Sequence, residues 1–419
     1  MFARALEELH RREGARLLAL LIRRVGRFDV AEEAMQDAYE RALRHWPQQG
    51  VPARPEAWLL RVAAHRAVDV LRRDAKSVTV DCEWLDSLEA PEGAGAETSE
   101  TWPDERLKLI FTCCHPALAP SAQVALALRT LCGLTTSEIA RAFVEPEATT
   151  AQKLVRAKRK IALSGIPYEV PPRDALPARL STVLATIYFV FNEGYLSAAS
   201  ANLTRRDLCL EAIRLGSMLH ALMPDEPEVA GLYALMRLHD ARRAARSDEN
   251  GDLIALEDQD RRLWDQTAIA AADSDLKCAL ARRTPGPYQL QAAIAALHAT
   301  APNAEVTDWA QISALYEKLA IVNDTPVIQL NAAVAQAMRG DMSGGMARID
   351  ALRKRGDLAD YHLLYAARAD LLRRAGRVAE AARDYWRALS LADNETERRY
   401  LASRLAMLEP RLADEAPQR

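Results

Sequence analysis

The chain has 419 residues, 49% of them hydrophobic and 27% charged, with a formal net charge of −3; that length has room for roughly two to four domains. Alanine, leucine and arginine dominate, glycine is sparse and β-branched runs are few, which favours an all-α fold. No apolar run approaches the roughly 18–20 residues that span a bilayer, the opening MFARALEELHRREGARLLALLIRR lacks the apolar core and cleavage site of a signal peptide, and the six cysteines show no CxxC spacing, so a cytoplasmic protein with free thiols, no membrane contact and no cofactor is expected.

Residues 1–75 read as a helical block. Leu6, Leu9, Leu17, Leu18, Leu20 and Leu21 fit helical spacing, a second helix runs from Val30 to Trp46, and Pro47, Gly50, Pro52 and Pro55 mark a turn. A third helix, Glu56 to Arg73, opens just after Pro55. Residues 76–103 read as a linker. From Asp81 to Glu105 there are nine carboxylates and no Lys or Arg, with Pro91, Gly93 and Gly95 among them. A solvated tether and an acidic strap for a basic channel both fit that segment.

Residues 104–165 read as a second helical block. Its end, LTTSEIARAFVEPEATTAQKLVRAKRK (Leu134–Lys160), reads as helix, turn, helix. Ile139, Ala140 and Phe143 give the first helix an apolar face, and Glu145-Pro146 breaks it. The second helix is expected to restart near Ala148 or Thr149, with a threonine capping its first turn. Between Ala148 and Gly165 it carries five basic residues and no acidic one. Such a helix suits a DNA major groove, its N-terminal half on base edges and its basic flank on phosphates.

Pro167, Pro171, Pro172 and Pro177 mark a second boundary, and 175–410 reads as a helical extension. YHLLYAARADLLRRAGRVAEAARDYWRALSLADNE (Tyr361–Glu395) resembles a tetratricopeptide unit with Gly376 at its turn. A weaker copy places Gly340 in the same role, 36 residues earlier, close to the period of about 34. Upstream of Pro302 no repeat is legible.

Three segments in order resemble the sigma-70 family of bacterial transcription initiation factors, in its extracytoplasmic-function branch. FDVAEEAMQDAYERALRHWP (Phe28–Pro47) is similar to the region 2 helix that docks on the β′ clamp helices of RNA polymerase. PEAWLLRVAAHRAVDVLRR (Pro55–Arg73) resembles the helix that melts and reads the −10 element. The helix-turn-helix is similar to region 4, which reads the −35 element and meets the β flap. TCCHPAL, IYFVFNEGY, HDARRAAR, LEDQDRRLWD and PGPYQLQAAIAALHA resemble the subgroup with a long C-terminal helical extension. The resemblance implies two small helical sigma domains followed by a helical-repeat domain. Its implied partners are core polymerase and promoter DNA. It implies no covalent chemistry, and an extension that regulates activity by contacting the sigma domains or an unknown protein.

The resemblance also implies site residues. Glu32, Glu33, Gln36 and Asp37 fall within about one and a half turns; a solvated face fits them, and so does docking on a basic coiled coil, which the resemblance favours. Arg61, His65, Asp69 and Arg72 form one stripe, and with Arg66 and Arg73 they are expected at the −10 element, His65 standing where the family often has Asn. Trp58 reads as core. At the −35 element Gln152, Lys153 and Arg156 hold the base-reading positions, Thr149 and Thr150 open the helix, and Lys158, Arg159 and Lys160 suit phosphates. Val144 replaces the usual turn glycine, and Ala151 and Val155 stand where polar or aromatic groups are common.

Other clusters read as structural. Cys113-Cys114-His115 is a poor zinc chelate. His239-Asp240, Glu257, Asp258 and Asp260 are expected to form salt bridges with Arg242, Arg243, Arg261 and Arg262. Tyr188, Phe189, Phe191 and Tyr195 read as core around a turn at Asn192-Glu193-Gly194. Two other readings remain, a helix-turn-helix regulator acting without polymerase and a helical-repeat scaffold.

Overall fold

A computed structural model describes residues 2–74, 102–143, 145–164, 166, 168–172, 174–195 and 206–408. Among them the secondary structure is α-helix, three short 3-10 turns and one isolated β-bridge between Ser247 and Leu253, an all-α fold. No helix among them is long and apolar enough to cross a membrane. The acidic stretch up to Thr101, together with Cys82 and Val144, lies outside the described residues. The chain divides into two compact units, Met1–Val190 and Phe191–Arg419.

The first unit opens with three helices, α1 (Phe2–Val25), α2 (Phe28–Gln49) and α3 (Pro55–Asp74), each packed on the other two. On α2 the buried residues Phe28, Ala31, Met35, Ala38, Ala42 and Trp46 recur every three or four positions. The alanines let the neighbouring helices approach closely. Trp58, which the sequence reads as core, is half-buried and packs edge-on against buried Trp46, ring centroids 5.6 Å apart. Helix α2 runs one turn past its expected end and contains Pro47. Proline removes a backbone donor, but only in the final turn, where Gly50 N donates to Trp46 O at 2.9 Å and its positive φ of 84° ends the helix.

Four more helices follow: α4 (Trp102–Cys113), α5 (Pro120–Thr130), α6 (Thr136–Ala142) and α7 (Glu147–Leu163). Helix α4 packs on α1 and α5, and α7 packs on α2, α5 and α6. Cys113 and Cys114 are buried, their sulfurs 3.2 and 3.4 Å from the hydroxyls of Thr130 and Thr186. Burial pushes both thiols up, Cys114 to about 12, so they act as small apolar groups. Among the described residues no group of three or more His, Cys, Asp or Glu could hold a metal ion. Helix α8 (Leu176–Tyr195) is continuous through Asn192, Glu193 and Gly194, where the sequence reads as a turn. Glu193 and Gly194 are buried on it while Asn192 is exposed, so the trio is divided between the inner and outer sides of one continuous helix.

The second unit contains α9 (Arg206–Leu222), α10 (Pro227–Asp240), α11 (Gln266–Leu280), α12 (Pro287–Thr300), α13 (Trp309–Val322), α14 (Pro326–Met338), α15 (Met342–Arg355), α16 (His362–Arg374), α17 (Val378–Leu391) and α18 (Glu395–Ala406). Helices α14/α15 and α16/α17 form antiparallel pairs around one core that includes Leu330, Ile349, Leu364, Leu372, Ala381 and Tyr385. Gly340 and Gly376 lie at their turns with φ of 111° and 75°, a left-handed region that favours glycine. Helix pairing also continues upstream of Pro302, where the sequence shows no repeat: α10 packs on α11 and α12, and α12 on α13. Glu228 replaces a local cap there, accepting from Tyr288 N and Gln289 N at 3.0 Å at the start of α12.

Arg368 ties the repeats together. It lies 7% exposed and donates to Asp350 at 2.8 Å and to Asp384 at 2.5 Å, joining α15, α16 and α17. Arg368→Leu strands the buried Asp384 carboxylate and is expected to destabilise this unit by about 3 kcal/mol. A lowered urea midpoint checks this, and partial recovery on adding Asp384→Asn attributes the loss to the stranded charge.

Candidate nucleic-acid interface

Helix α6 begins with a capping box. Thr135 N and Oγ1 donate to Glu138 at 2.7 and 2.9 Å, and Glu138 N donates back to Thr135 Oγ1 at 3.2 Å. Helix α7 starts at Glu147 behind Pro146, with no side-chain cap, so the expected threonine cap is absent. The Pro146 carbonyl accepts from Thr149 N and Thr150 N instead, at 2.9 and 3.3 Å. Thr150 is buried, and its hydroxyl donates to Glu145 at 2.5 Å.

Thr150, Leu154, Ala157 and Ile161 form the buried stripe of α7. The opposite side therefore faces outward: Thr149, Gln152, Val155, Arg156, Arg159 and Lys160 are exposed. Two other predicted contacts are engaged within the protein. Lys153 donates to both oxygens of Glu145 at 2.9 and 2.8 Å, with its ammonium 4.8 Å from the centre of the Phe143 ring. Lys158 forms an ion pair with Glu32 of α2, 126 residues away. Glu145 thus organises the turn, and sequence reasoning missed it. It reads locally as the residue before a helix-breaking proline, and only the folded turn places Thr150 and Lys153 around it.

On α2, Glu33 and Gln36 are exposed while Glu32 and Asp37 are half-buried. Gln36 donates to Glu32 at 3.3 Å, Asp37 pairs with Arg41 at 2.8 Å, and Glu33 meets Arg66 of α3 at 3.4 Å. On α3, His65, Asp69, Arg72 and Arg73 are exposed, and Arg61 and Arg66 are partly so. Alanines 63, 64 and 67 bury the other side of that helix. A cavity of about 540 Å³ lies between α1, α2 and the end of α5, lined by Leu18, Glu32, Met35, Tyr39, Arg129 and Thr135 among others.

Residues 9–77, which contain α2 and α3, match sigma-70 region 2. Residues 179–280 match a family of unknown function (DUF6596). A protein of Rhizobium meliloti (strain 1021) described as uncharacterized is 41% identical over 391 residues, 93% of this chain and 92% of the relative. The chain belongs to the family of that relative, and it carries the region 2 domain of the sigma-70 family, the part of those factors that binds core RNA polymerase. No solved structure matches it.

The bonds from Lys153 and Thr150 hold the Glu145 carboxyl below its ordinary range. A carboxylate whose folded pKa is depressed adds stability that is fully present above its unfolded value of about 4.3 and is lost as pH falls through the folded value. Glu145→Gln is therefore expected to lower the melting temperature near neutral pH. The gap from the unsubstituted protein should close on acidification below that range, as melting curves across a pH series would read.

Proposed function

We propose that this chain is an alternative sigma factor of the extracytoplasmic-function branch, which binds core RNA polymerase and directs it to promoters with −35 and −10 elements. The observation that carries the reading is the region 2 match falling on the α1–α3 bundle, with a capped helix-turn-helix downstream. In this reading α2 docks on the β′ clamp helices through Glu32, Glu33, Gln36 and Asp37. The exposed stripe of α3 takes the unstacked −10 strand, where each flipped base costs a few kcal/mol that pocket contacts offset. Helix α7 reads the −35 element. Gln152 suits adenine, Arg156 suits guanine, and exposed Val155 suits a thymine methyl. The function is recognition and melting, without covalent chemistry, and the protein works in the cytoplasm.

Docking through Glu32 and phosphate contact through Lys158 each require their ion pair to open, so the two events favour one another. Lys158→Gln is expected to speed association with core polymerase, because it removes the competitor for Glu32. An unchanged association rate in stopped-flow mixing would remove the pair as a barrier.

The deciding experiment is transcription in vitro from fragmented genomic DNA of the source organism, with core polymerase alone or with the full chain. Starts that depend on the protein are expected, and their absence together with no binding to core polymerase would sink the reading. On such a promoter, Arg156→Ala should cost about 1–3 kcal/mol of discrimination at one base pair. Arg159→Ala should weaken all sequences alike and reduce the log–log salt slope by about 0.9. The extension from about residue 175 is proposed to set activity. A chain ending at Tyr195 tests this while keeping α8, whose Thr186 and Phe189 pack on Cys114 and Phe143; transcription equal to that of the full chain would refute it.

A further inference from the structure

The segment between α10 and α11, Ala241–Asp265, carries five arginines that fall into two groups. Arg243 pairs with Asp240 at 2.8 Å and Arg262 with Asp260 at 2.7 Å, as expected. Arg242, Arg246 and Arg261 meet no carboxylate within ion-pair distance among the described residues, and Glu257, expected to pair locally, is engaged by Arg374 of α16 at 2.5 Å. Arg242 contacts His239 Nδ1 at 2.7 Å, and its Nε is buried without a partner. Arg246 donates to Tyr195 O at 2.9 Å and stacks 3.5 Å from the centre of the Tyr195 ring. Arg261 donates through Nη1 to the carbonyls of His298 and Ala301, both at 2.7 Å, and lies over the Trp264 ring at 4.5 Å. Trp264 is buried, and its Nε1 also lacks a partner.

The cations are therefore gathered without a carboxylate in ion-pair contact; the nearest negative charge acting on Arg261 is the exposed Glu305, at longer range. Arg242 and Arg246 are 7% and 5% exposed. Burial, with Arg242 and Arg261 nearby, holds His298 down to about 4, and burial likewise keeps His239 uncharged at neutral pH. Removing guanidinium groups from water without a carboxylate is unfavourable. Arg368 in the same unit shows the usual remedy, two aspartates. Arg261 also lines a cavity of about 250 Å³ with Trp309, Val334, Met338 and Tyr400. The two carboxylates on that wall, Glu257 and Asp370, are already occupied by Arg374 and Arg404. Arg261 Nε and Nη2 have no protein partner among the described residues, which leaves one edge of a five-donor fork for an incoming oxyanion.

We propose that this cavity binds a small organic anion, a carboxylate or phosphate monoester with an apolar body. The oxyanion sits on the open edge of Arg261, with the positive field of Arg242 behind it. The body lies against Trp309, Val334 and Met338. The extension is then a ligand-responsive module, a role independent of whether the first unit serves polymerase.

The test is thermal unfolding of the full chain with benzoate or phenyl phosphate, against sodium chloride at equal ionic strength. One or both should raise the midpoint increasingly with the logarithm of concentration, and which one does so identifies the headgroup. Arg261→Gln should abolish the rise, while Arg262→Gln, one residue away and exposed, should keep it. Because Arg261 also holds two carbonyls, phenylglyoxal labelling of the unsubstituted protein provides a second measurement, in which the anion protects Arg261 and leaves Arg262 reactive. No shift relative to chloride, a shift retained in folded Arg261→Gln, or no protection of Arg261 would each overturn the proposal. None of these readouts involves polymerase or promoter, so their failure is distinct from failure of the sigma-factor reading.

Discussion

The buried stripe of α7 is the constraint on which the candidate interface depends. Thr150, Leu154, Ala157 and Ile161 recur at intervals of four, three and four residues. Burying Leu154 and Ile161 is worth about 1.5–3 kcal/mol each, far more than any exposed cation gains from a surface partner. Packing therefore decides the rotation of the helix, and charge follows. Once that stripe faces α2 and α5, Gln152, Val155, Arg156 and Arg159 point outward, and Lys158 is carried inward to Glu32. The same rotation sets Lys153 over Phe143 and beside Glu145, so two of the five cations on this helix serve the fold.

That rotation explains what is legible in the sequence. Periodicity along one helix separates a buried side from an exposed side, so the residue pattern alone suffices to place α2, α3, α6 and α7. It does not reveal which exposed side another part of the chain will cover. Glu32 and Glu33 are neighbours in sequence and equal in charge, yet Glu33 is exposed while Glu32 is held by a lysine 126 residues away. Local breaker signals succeed or fail according to their surroundings. Pro47, Glu145-Pro146 and Asn192-Glu193-Gly194 are all strong local breaker signals. Glu145-Pro146 does interrupt the chain, Pro47 is tolerated because it falls in a last turn, and the trio at 192 is overridden because tertiary packing buries two of its members. The repeat is visible only where glycine turns at positive φ punctuate it; the upstream pairs close with other devices, such as Glu228 at the head of α12.

The seam between the region 2 bundle and the helix-turn-helix has two characters that bear on the proposed mechanism. It is fastened by a half-buried ion pair, and it is left incompletely filled, with a cavity of about 540 Å³ beside Glu32. Protein interiors are ordinarily close-packed, so a seam with a void beside its charged contact opens at lower cost than a continuous core would. In the proposed mechanism α2 and α7 meet different partners, and a seam packed in this way would let the two surfaces separate.

The second unit handles arginine in two different ways. Arg368 sits in a repeat core with a carboxylate on each side, and its charge is neutralised within the fold. Arg242, Arg246 and Arg261 have an uncharged imidazole, backbone carbonyls and aromatic faces as their neighbours. Carbonyls and π faces orient a guanidinium and soften its desolvation, but they carry no net charge to balance it. The stretch 179–280, which matches a family of unknown function, thus places three arginines without ion-pair contact beside a cavity with one apolar wall, Trp309, Val334 and Met338, and the open edge of Arg261 is where the proposed anion would supply the charge that the chain does not.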